Sequence, residues 1–434
     1  MKKWVCFAAI LCFLLAGCTP ANPEIPDEPP TQQDAADKEL VIAENGATEF
    51  LLVVSEDAPE FLGDSLPKFH KQLKKQTGAT YSLDTDWTAR GEAVDNSRLE
   101  ILIGNTNRQA TQDLLADLPE HSYGIRVTED KVVIAGKNDS LTALAMYEFE
   151  NAFFFGDETF VSDGRFALPV GWEIIKTGEN WDDPAYMIGS SFPVIASADN
   201  PRTIHRPDGY KASQGAATDG TYVYTAYIRG DDDGEGTVGV VVKSLLSDLS
   251  LVKVSEELPI DHANGMTYNP DDNILVITNM DVNILTVLDP ETLEITEQIQ
   301  GGKYGFGGSY AIGYSTEKQQ YVLKGGGKHT FLDRGFKMSN AVTPVSYSNS
   351  AYTAQGMDAD GTYLYSIVSP GEETKDNLII VHKWSGGHVQ SVSIPISVEG
   401  EDLFHYDGKF YLSATDWSQG RAKVYELTFS YVYK

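Results

Sequence analysis

The chain has 434 residues, of which 41% are hydrophobic and 11% aromatic; this is enough apolar material for two or three folded domains and excludes a largely disordered protein. Its formal net charge of -30 excludes a nucleic-acid partner, because a phosphate backbone requires a basic surface. The charge carries no information about the fold.

The N-terminus predicts a lipid anchor. Lys2 and Lys3 precede an apolar stretch of about 14 residues, which is too short to span a bilayer permanently. The stretch ends in LAGC, residues 15–18, which resembles the lipobox of bacterial lipoproteins. That resemblance implies a signal peptide over 1–17, lipidation of Cys18, and an extracytoplasmic protein held to the membrane by its lipid. A plain secretory signal with a chance cysteine is the alternative.

The cysteine content favours the same interpretation. The three cysteines are Cys6, Cys12 and Cys18, so the body that follows has none and is expected to lack a disulfide framework or a thiolate metal site. Residues 18–38 are rich in proline and acidic residues, which is typical of an extended tether. No motif for a cofactor or a metal ion is present, so neither is predicted.

Residues 39–178 predict a small α/β domain. Leu62, Leu66, Phe69 and Leu73 recur at helical spacing, and the next glycine, Gly78, is a good helix stop. A hairpin turning at residues 129–130 is expected, followed by a helix through LTALAMYEFENAFF with a cap at residue 139 or 140.

Two segments of this region carry a family resemblance. LEILIGNTNRQAT and YGIRVTEDKVVIAGKNDSLTALAMYEFENAFF resemble the α/β accessory domain that precedes the catalytic barrel in glycoside hydrolase families 20 and 67. In those families the domain is not catalytic, and the rest of this chain lacks the alternating strand and helix pattern of a barrel. The resemblance therefore implies a carbohydrate context and not a hydrolase.

Residues 179–434 contain a repeat. QGAATDGTYVY begins at Gln214 and QGMDADGTYLY begins at Gln355, with seven of eleven positions identical. Weaker copies begin at Asn264, Tyr310 and Glu401, so the period is about 45–50 residues, the size of a four-stranded propeller blade. We predict an all-β propeller of five blades, and an α+β chain as a whole; an irregular β-sandwich is the alternative.

The copies also predict local structure. DGTYVY indicates a tight turn from the innermost strand to the second, and Gly215 and Gly356 are expected at equivalent crowded positions near the axis. SFPVIASA, near residue 195, is expected to supply the missing outer strand of the last blade and close the ring. The repeat words resemble uncharacterised secreted bacterial propellers and, more distantly, helveticin-like five-bladed propellers.

Propeller geometry places one set of loops on one face, with aromatic, acidic and amide side chains, and leaves short turns with little apparent chemistry on the other. Aromatic planes beside hydrogen-bonding groups suit a sugar. The predicted ligand-binding residues are Trp417, His262, Asn264, Gln214, Gln355 and Tyr310. For any tyrosine, packing between blades is the competing interpretation.

Two further clusters have other possible chemistries. Asp261, Glu401 and Asp402 are candidate catalytic acids for a glycoside hydrolase or lyase if two of them face the funnel. GDDDGEG, residues 230–236, carries clustered oxygens of the kind that bind calcium, although a solvated hairpin tip is favoured. The sequence thus favours a surface lipoprotein that binds a glycan or cell-wall polymer without cleaving it, with an enzyme or a protein-interaction scaffold as alternatives.

Overall fold

The structure is a computed structural model. It describes residues 38–156, 160–229, 238–279, 283–344, 351–370 and 376–434. Cys18, nearly all of the predicted tether and the acidic segment 230–236 lie outside the described residues. No helix within the described ranges is both long enough and apolar enough to cross a membrane.

The N-terminal unit is an α/β structure, as the sequence predicts. Its helices are α1 (Glu60–Thr77), α2 (Gln109–Asp117) and α3 (Asp139–Glu150), which runs on into a π-helical turn (Asn151–Phe155); α4 (Pro184–Gly189) follows the unit. Its strands are β1 (Glu39–Glu44), β2 (Leu51–Val54), β3 (Ser82–Thr85), β4 (Glu100–Ile103), β5 (Ser122–Val127), β6 (Lys131–Gly136), β7 (Val161–Ser162), β8 (Arg165–Pro169) and β9 (Glu173–Thr177).

Six of these strands form one sheet in the order β3-β2-β4-β6-β5-β9, and β1, β8 and β7 form a small second sheet. The first four strands of the large sheet are parallel, while β5 pairs antiparallel with β6 as the predicted hairpin. Strands β4 and β6 are buried at every position, which explains why they read as continuous apolar runs without alternation.

The helix ends follow local chemistry. Gly78 adopts φ 74° and its N–H closes α1 onto the carbonyl of Lys74. The expected cap of α3 at residue 139 or 140 is wrong by a residue or two, because the side chain of Asn138 accepts the N–H of Leu141 at 2.8 Å and so caps the helix.

The remainder of the chain is almost entirely β. Its strands are β10 (Val194–Thr203), β11 (Ala212–Thr218), β12 (Tyr222–Ile228), β13 (Gly239–Leu245), β14 (Leu251–Val254), β15 (Gly265–Asn269), β16 (Ile274–Asn279), β17 (Ile284–Leu288), β18 (Ile295–Gln300), β19 (Ala311–Ser315), β20 (Gln320–Gly325), β21 (Lys328–Asp333), β22 (Met338–Val342), β23 (Tyr352–Ala359), β24 (Tyr363–Pro370), β25 (Asn377–Lys383), β26 (His388–Ile394), β27 (Glu399–Tyr406), β28 (Lys409–Asp416) and β29 (Arg421–Tyr431). One short helix, α5 (Gly301–Tyr304), follows β18.

These strands pair as successive four-stranded antiparallel meanders: β11–β14, β15–β18, β19–β22 and β23–β26. The last meander consists of β27, β28, β29 and β10. Its fourth strand, β10, pairs antiparallel with β29 from Val194 to Thr203. The segment near residue 195 thus supplies the outer strand that the sequence left missing. One parallel bridge, Ile195 to Ser393, joins the last two meanders into an eight-stranded sheet.

The first strands of the meanders pack against one another in a cycle, β11 to β15, β19, β23, β27 and back to β11. We number the meanders 1 to 5 in this order. The end of the cycle at which these inner strands begin is called the loop face here, and the end with the turns between first and second strands is the turn face.

Candidate functional site

Five positions in or directly before the first part of the inner strands form a ring at the loop face. Each is a large polar residue, each opens one copy of the sequence repeat, and each precedes a residue that lies on the crowded inner strand. These residues, the axial ring, are Gln214, Asn264, Tyr310, Gln355 and Glu401. All but the half-buried Tyr310 are buried, and burial raises the pKa of the Tyr310 phenol. The ring therefore holds four of the six predicted ligand-binding residues.

The residues after the axial ring explain the glycines of the repeat. A Cβ on Gly215 would lie 2.7 Å from backbone atoms of Gly265 and Met266 in meander 2, and a Cβ on Gly265 would lie 2.8 Å from Ala311 in meander 3. Contacts this close leave no room for a side chain. These contacts show that Gly215 occupies a crowded position, as the repeat predicts.

Meander 5 has Asp402 where meander 1 has Gly215. Its side chain is fully buried, and Oδ2 accepts the N–H of Ala216 at 2.9 Å and of Met266 at 3.1 Å. Burial raises the pKa of this carboxyl and these backbone hydrogen bonds oppose the rise. Asp402 thus joins meander 5 to meanders 1 and 2 and does not line a funnel, so the geometry gives it no access to a substrate.

A hydrogen-bonded chain leads from the axial ring to the protein surface. Asn264 Nδ2 lies 3.5 Å from Gln355 Oε1, and Gln355 Nε2 donates to Glu399 Oε1 at 2.8 Å. The other oxygen of Glu399 accepts the indole N–H of Trp417 at 2.6 Å. Trp417 is 56% exposed, so this series of hydrogen bonds ends in an indole that faces solvent and is oriented by its bond to Glu399.

Trp417 borders a cleft of about 720 Å³ between meanders 4 and 5. The cleft combines apolar and hydrogen-bonding groups, and its described lining includes Pro370, Pro395, Ile396, Val398, Glu399, Trp417, Ser418, Gln419 and Lys423. Lys423 donates to Asp416 at 2.7 Å, and this bond with that of Ser418 lowers the pKa of Asp416 to about 2. Lys423 and Asp416 are therefore paired with each other at the rim.

The other predicted residues lie apart from this cleft. His262 is exposed and Asp261 half-buried on the loop before β15, and neither belongs to the described lining of the cleft. Glu401 is 2% exposed and burial together with the charge of Glu399 raises its pKa well above the usual range. Asp261, Glu401 and Asp402 therefore do not present the pair of accessible carboxylates that glycoside cleavage requires.

Sequence reasoning missed Glu399, which binds both Gln355 and Trp417. The available signal was its place two residues before Glu401 on the same strand, but only the bulge in β27, where the register shifts between Gly400 and Asp402, decides which way each side chain points. A sequence pattern alone does not reveal that bulge.

The turn face is not chemically bare, contrary to the sequence expectation. His405 Nδ1 lies 2.6 Å from Asp358 Oδ2 beside a pocket of about 220 Å³ that Tyr268, Tyr314 and Tyr406 also line. Burial alone would lower the pKa of His405, but the Asp358 carboxylate overcomes this and raises it to about 9. The imidazole is therefore charged at neutral pH.

Within the described ranges, no three or more His, Cys, Asp and Glu side chains cluster in a way that would hold a metal ion. No family model matches the chain, and no curated protein does.

Two solved structures are distantly similar to this chain. The tail fiber of Staphylococcus aureus phage P68 is similar over 54% of this chain and 53% of its own, with 12% identity and a TM-score of 0.39. A protein of unknown function from Bacteroides caccae is similar over 44% of this chain and 69% of its own, with 11% identity and a TM-score of 0.33. The chain thus spans about half the length of the tail fiber.

Proposed function

We propose that the β region is a five-bladed β-propeller whose loop face binds a glycan or cell-wall polymer without cleaving it. The architecture is supported by the repeat and by the cyclic packing of the inner strands, since four-stranded meanders around one axis are blades. The chemistry is supported by one observation above all: the exposed indole of Trp417, fixed by Glu399 at the edge of a polar cleft.

This arrangement suits a sugar for two reasons. A flat aromatic face stacks on the C–H surface of a pyranose, and an indole that is already oriented loses little conformational freedom on binding. The neighbouring Ser418, Gln419 and Lys423 supply donors and acceptors for hydroxyl groups. A carbohydrate context is also what the accessory-domain resemblance of residues 39–178 implies.

Binding without cleavage is favoured by the burial of the acids. Asp402 is saturated by backbone N–H groups, and Glu401 is enclosed within the axial ring. A hydrolase needs one carboxyl to protonate the leaving group and another to reach the sugar or a water molecule. Neither of these two side chains has that access.

The test is the loss of the aromatic surface. Trp417→Ala is expected to weaken binding to a glycan identified on an array by about 1–3 kcal/mol, the usual scale for an aromatic anchor, with little change in melting temperature. Trp87→Ala is the matched control, because Trp87 is an indole 62% exposed on the N-terminal unit. Equal affinity of the Trp417 variant and the parent would overturn the proposal, and so would equal losses in both variants.

We further propose that the protein is carried on the membrane surface by a lipid on Cys18, with residues 19–38 as a tether. Cys18→Ser removes the thiol that carries the lipid and is expected to release the protein from membranes or leave it unprocessed. Fractionation with membranes as a processed species would contradict the anchor and leave the sugar site untouched.

A further inference from the structure

The axial ring carries more oxygen acceptors than the surrounding protein satisfies. Each of its five side chains bears an oxygen, and Asp402, the residue after Glu401, joins three meanders through its bonds to Ala216 and Met266. The contact between Asn264 and Gln355 joins meanders 2 and 4, which are not neighbours, so these side chains converge on the axis.

Two of the oxygens lack a partner. Asn264 Oδ1 and Glu401 Oε1 are buried and have no hydrogen-bond donor among the described residues. Turning the Asn264 amide does not cure this, because its Oδ1 would then face Gln355 Oε1, and Gln355 is held in place by its bond to Glu399. An unsatisfied buried acceptor is unfavourable, so an occupant that bonds to these oxygens would be stabilised.

The charge indicates what that occupant is. Glu401 has Glu399 and Asp402 as its charged neighbours and a side-chain hydrogen bond with Thr415. Among the described residues, the side chain of Glu399 accepts from the neutral donors of Gln355 and Trp417. Lys423, the cation of the nearby cleft, is engaged by Asp416. The described surroundings of Glu401 are thus negative and rich in oxygen.

We propose that the axial ring binds a hard cation of the Ca²⁺ class, with Glu401 and Asn264 Oδ1 as protein ligands. Ca²⁺ takes six to eight oxygens, accepts amide carbonyls beside carboxylates and tolerates irregular geometry, whereas Mg²⁺ demands a near-ideal octahedron. The described acidic and histidine side chains do not form a metal-binding cluster by themselves, so at this site amide oxygens would complete the set of oxygen ligands. Glu399 is an electrostatic neighbour of Glu401, so a bound cation would also attract the carboxylate that orients Trp417. Binding of the cation does not depend on binding of a sugar.

The competing occupant is a proton. A neutral Glu401 carboxyl has its own O–H donor and would satisfy an acceptor without any metal ion. The two cases differ in their response to Ca²⁺, because a protonated ring neither binds the ion nor is stabilised by it.

The experiment is calorimetric titration of the full chain with CaCl₂ after EDTA treatment, with Tb³⁺ luminescence as a second readout. Excitation of Trp417 is expected to sensitise bound Tb³⁺, and Ca²⁺ is expected to quench the signal by competition. Glu401→Gln keeps the shape of the side chain and removes its charge, so it is expected to weaken Ca²⁺ binding at least about tenfold, equivalent to about 1.4 kcal/mol.

Two controls separate the ring from other acids. Glu297→Gln, on the exposed outer strand β18, is expected to bind Ca²⁺ as the parent does. Asp232→Asn, in the acidic segment 230–236, tests the other calcium candidate of the sequence. The proposal is overturned if the parent binds no Ca²⁺, or if the Asp232 variant loses binding and the Glu401 variant retains it. A Ca²⁺-dependent rise in melting temperature in the parent that disappears in Glu401→Gln supports it independently.

Discussion

At the residue scale, acidic side chains of this protein have three different structural roles. They stabilise turns, join meanders or orient an indole, and their sequence positions do not show which role each one has. Asp219 and Asp360, in the turns of the two best repeat copies, each accept two backbone N–H groups and the hydroxyl of a buried tyrosine, Tyr224 or Tyr365. Asp402 instead joins meanders, and Glu399 orients an indole. Burial and partners, rather than residue type, determine the role of each carboxylate.

Some residues of the candidate site could be predicted from the sequence, and others could not. The exposure of Trp417 was predictable from its polar neighbours, Asp416 and Ser418, and the repeat located the axial ring. Glu399 was not predictable, since its role depends on a bulge. The His405 and Asp358 pair was not predictable either, because its members come from strands in different meanders and meet only after the cycle closes.

The His405 pair predicts a pH dependence. The pKa of His405 in the folded protein is about 9, above its ordinary value of 6.5, so the pair stabilises the fold fully below about pH 6.5 and its contribution is lost as the pH rises through about 9. His405→Gln is therefore expected to cost about 1–3 kcal/mol in the free energy of unfolding at pH 6 and much less at pH 10.

Denaturant unfolding of parent and variant at both values checks this, because titrations elsewhere cancel in the difference. Asp360 and Glu317 also face His405 and raise its pKa, so Asp358→Asn alone is expected to flatten only part of the profile. A difference that is the same at pH 6 and pH 10 would contradict a charged imidazole in the folded protein.

At the element scale, the strands and turns of the β region follow from the sequence more fully than those of the N-terminal unit. The repeat marks each inner strand and its turn, and alternating aromatic and aliphatic residues mark the second strand. Helix α2 and strands β3, β7, β8 and β9 were not identified from the sequence. Strand β3 is exposed at all four positions, so it has no apolar pattern to detect, and its place follows from pairing with β2.

The inner-strand glycines give the element-scale prediction. A Cβ on Gly356 would overlap the Asp402 carboxylate and lie 2.8 Å from its Cα, so Gly356→Ala is expected to lower the free energy of unfolding by at least about 1–3 kcal/mol. Gly307→Ala is the control, because nothing lies within 4 Å of its Cβ position. Equal stability of the two variants, measured by denaturant unfolding, would contradict the close packing of Gly356 against Asp402.

At the scale of the whole molecule, the two units share one hydrophobic core. The cluster that contains Phe69 and Phe149 of the N-terminal unit continues into Tyr431, the last residue of β29, and Tyr433, which follows the strand. The backbone N–H of Tyr431 donates to Ser140 Oγ at 2.9 Å, on helix α3. The sequence suggested a boundary near residue 178 because composition and periodicity change there, but these long-range contacts leave no trace in local pattern.

This shared core predicts that the units unfold together. Tyr433 packs its ring 5.5 Å from that of Phe69 and 4.9 Å from that of Tyr147, and its hydroxyl donates to Glu150. The segment that follows β29 is thereby linked to both α1 and α3. Tyr433→Ala is expected to cost about 3–5 kcal/mol, because it removes a buried aromatic ring and leaves Glu150 without its donor. Tyr433→Phe retains the ring contacts and is expected to cost less. Calorimetry should show one transition in the parent that moves as a whole to lower temperature in both variants. Two separate transitions, with only one of them shifted, would mean that the interface is too weak to couple the units, and the shared core would then be a contact between independently folded bodies.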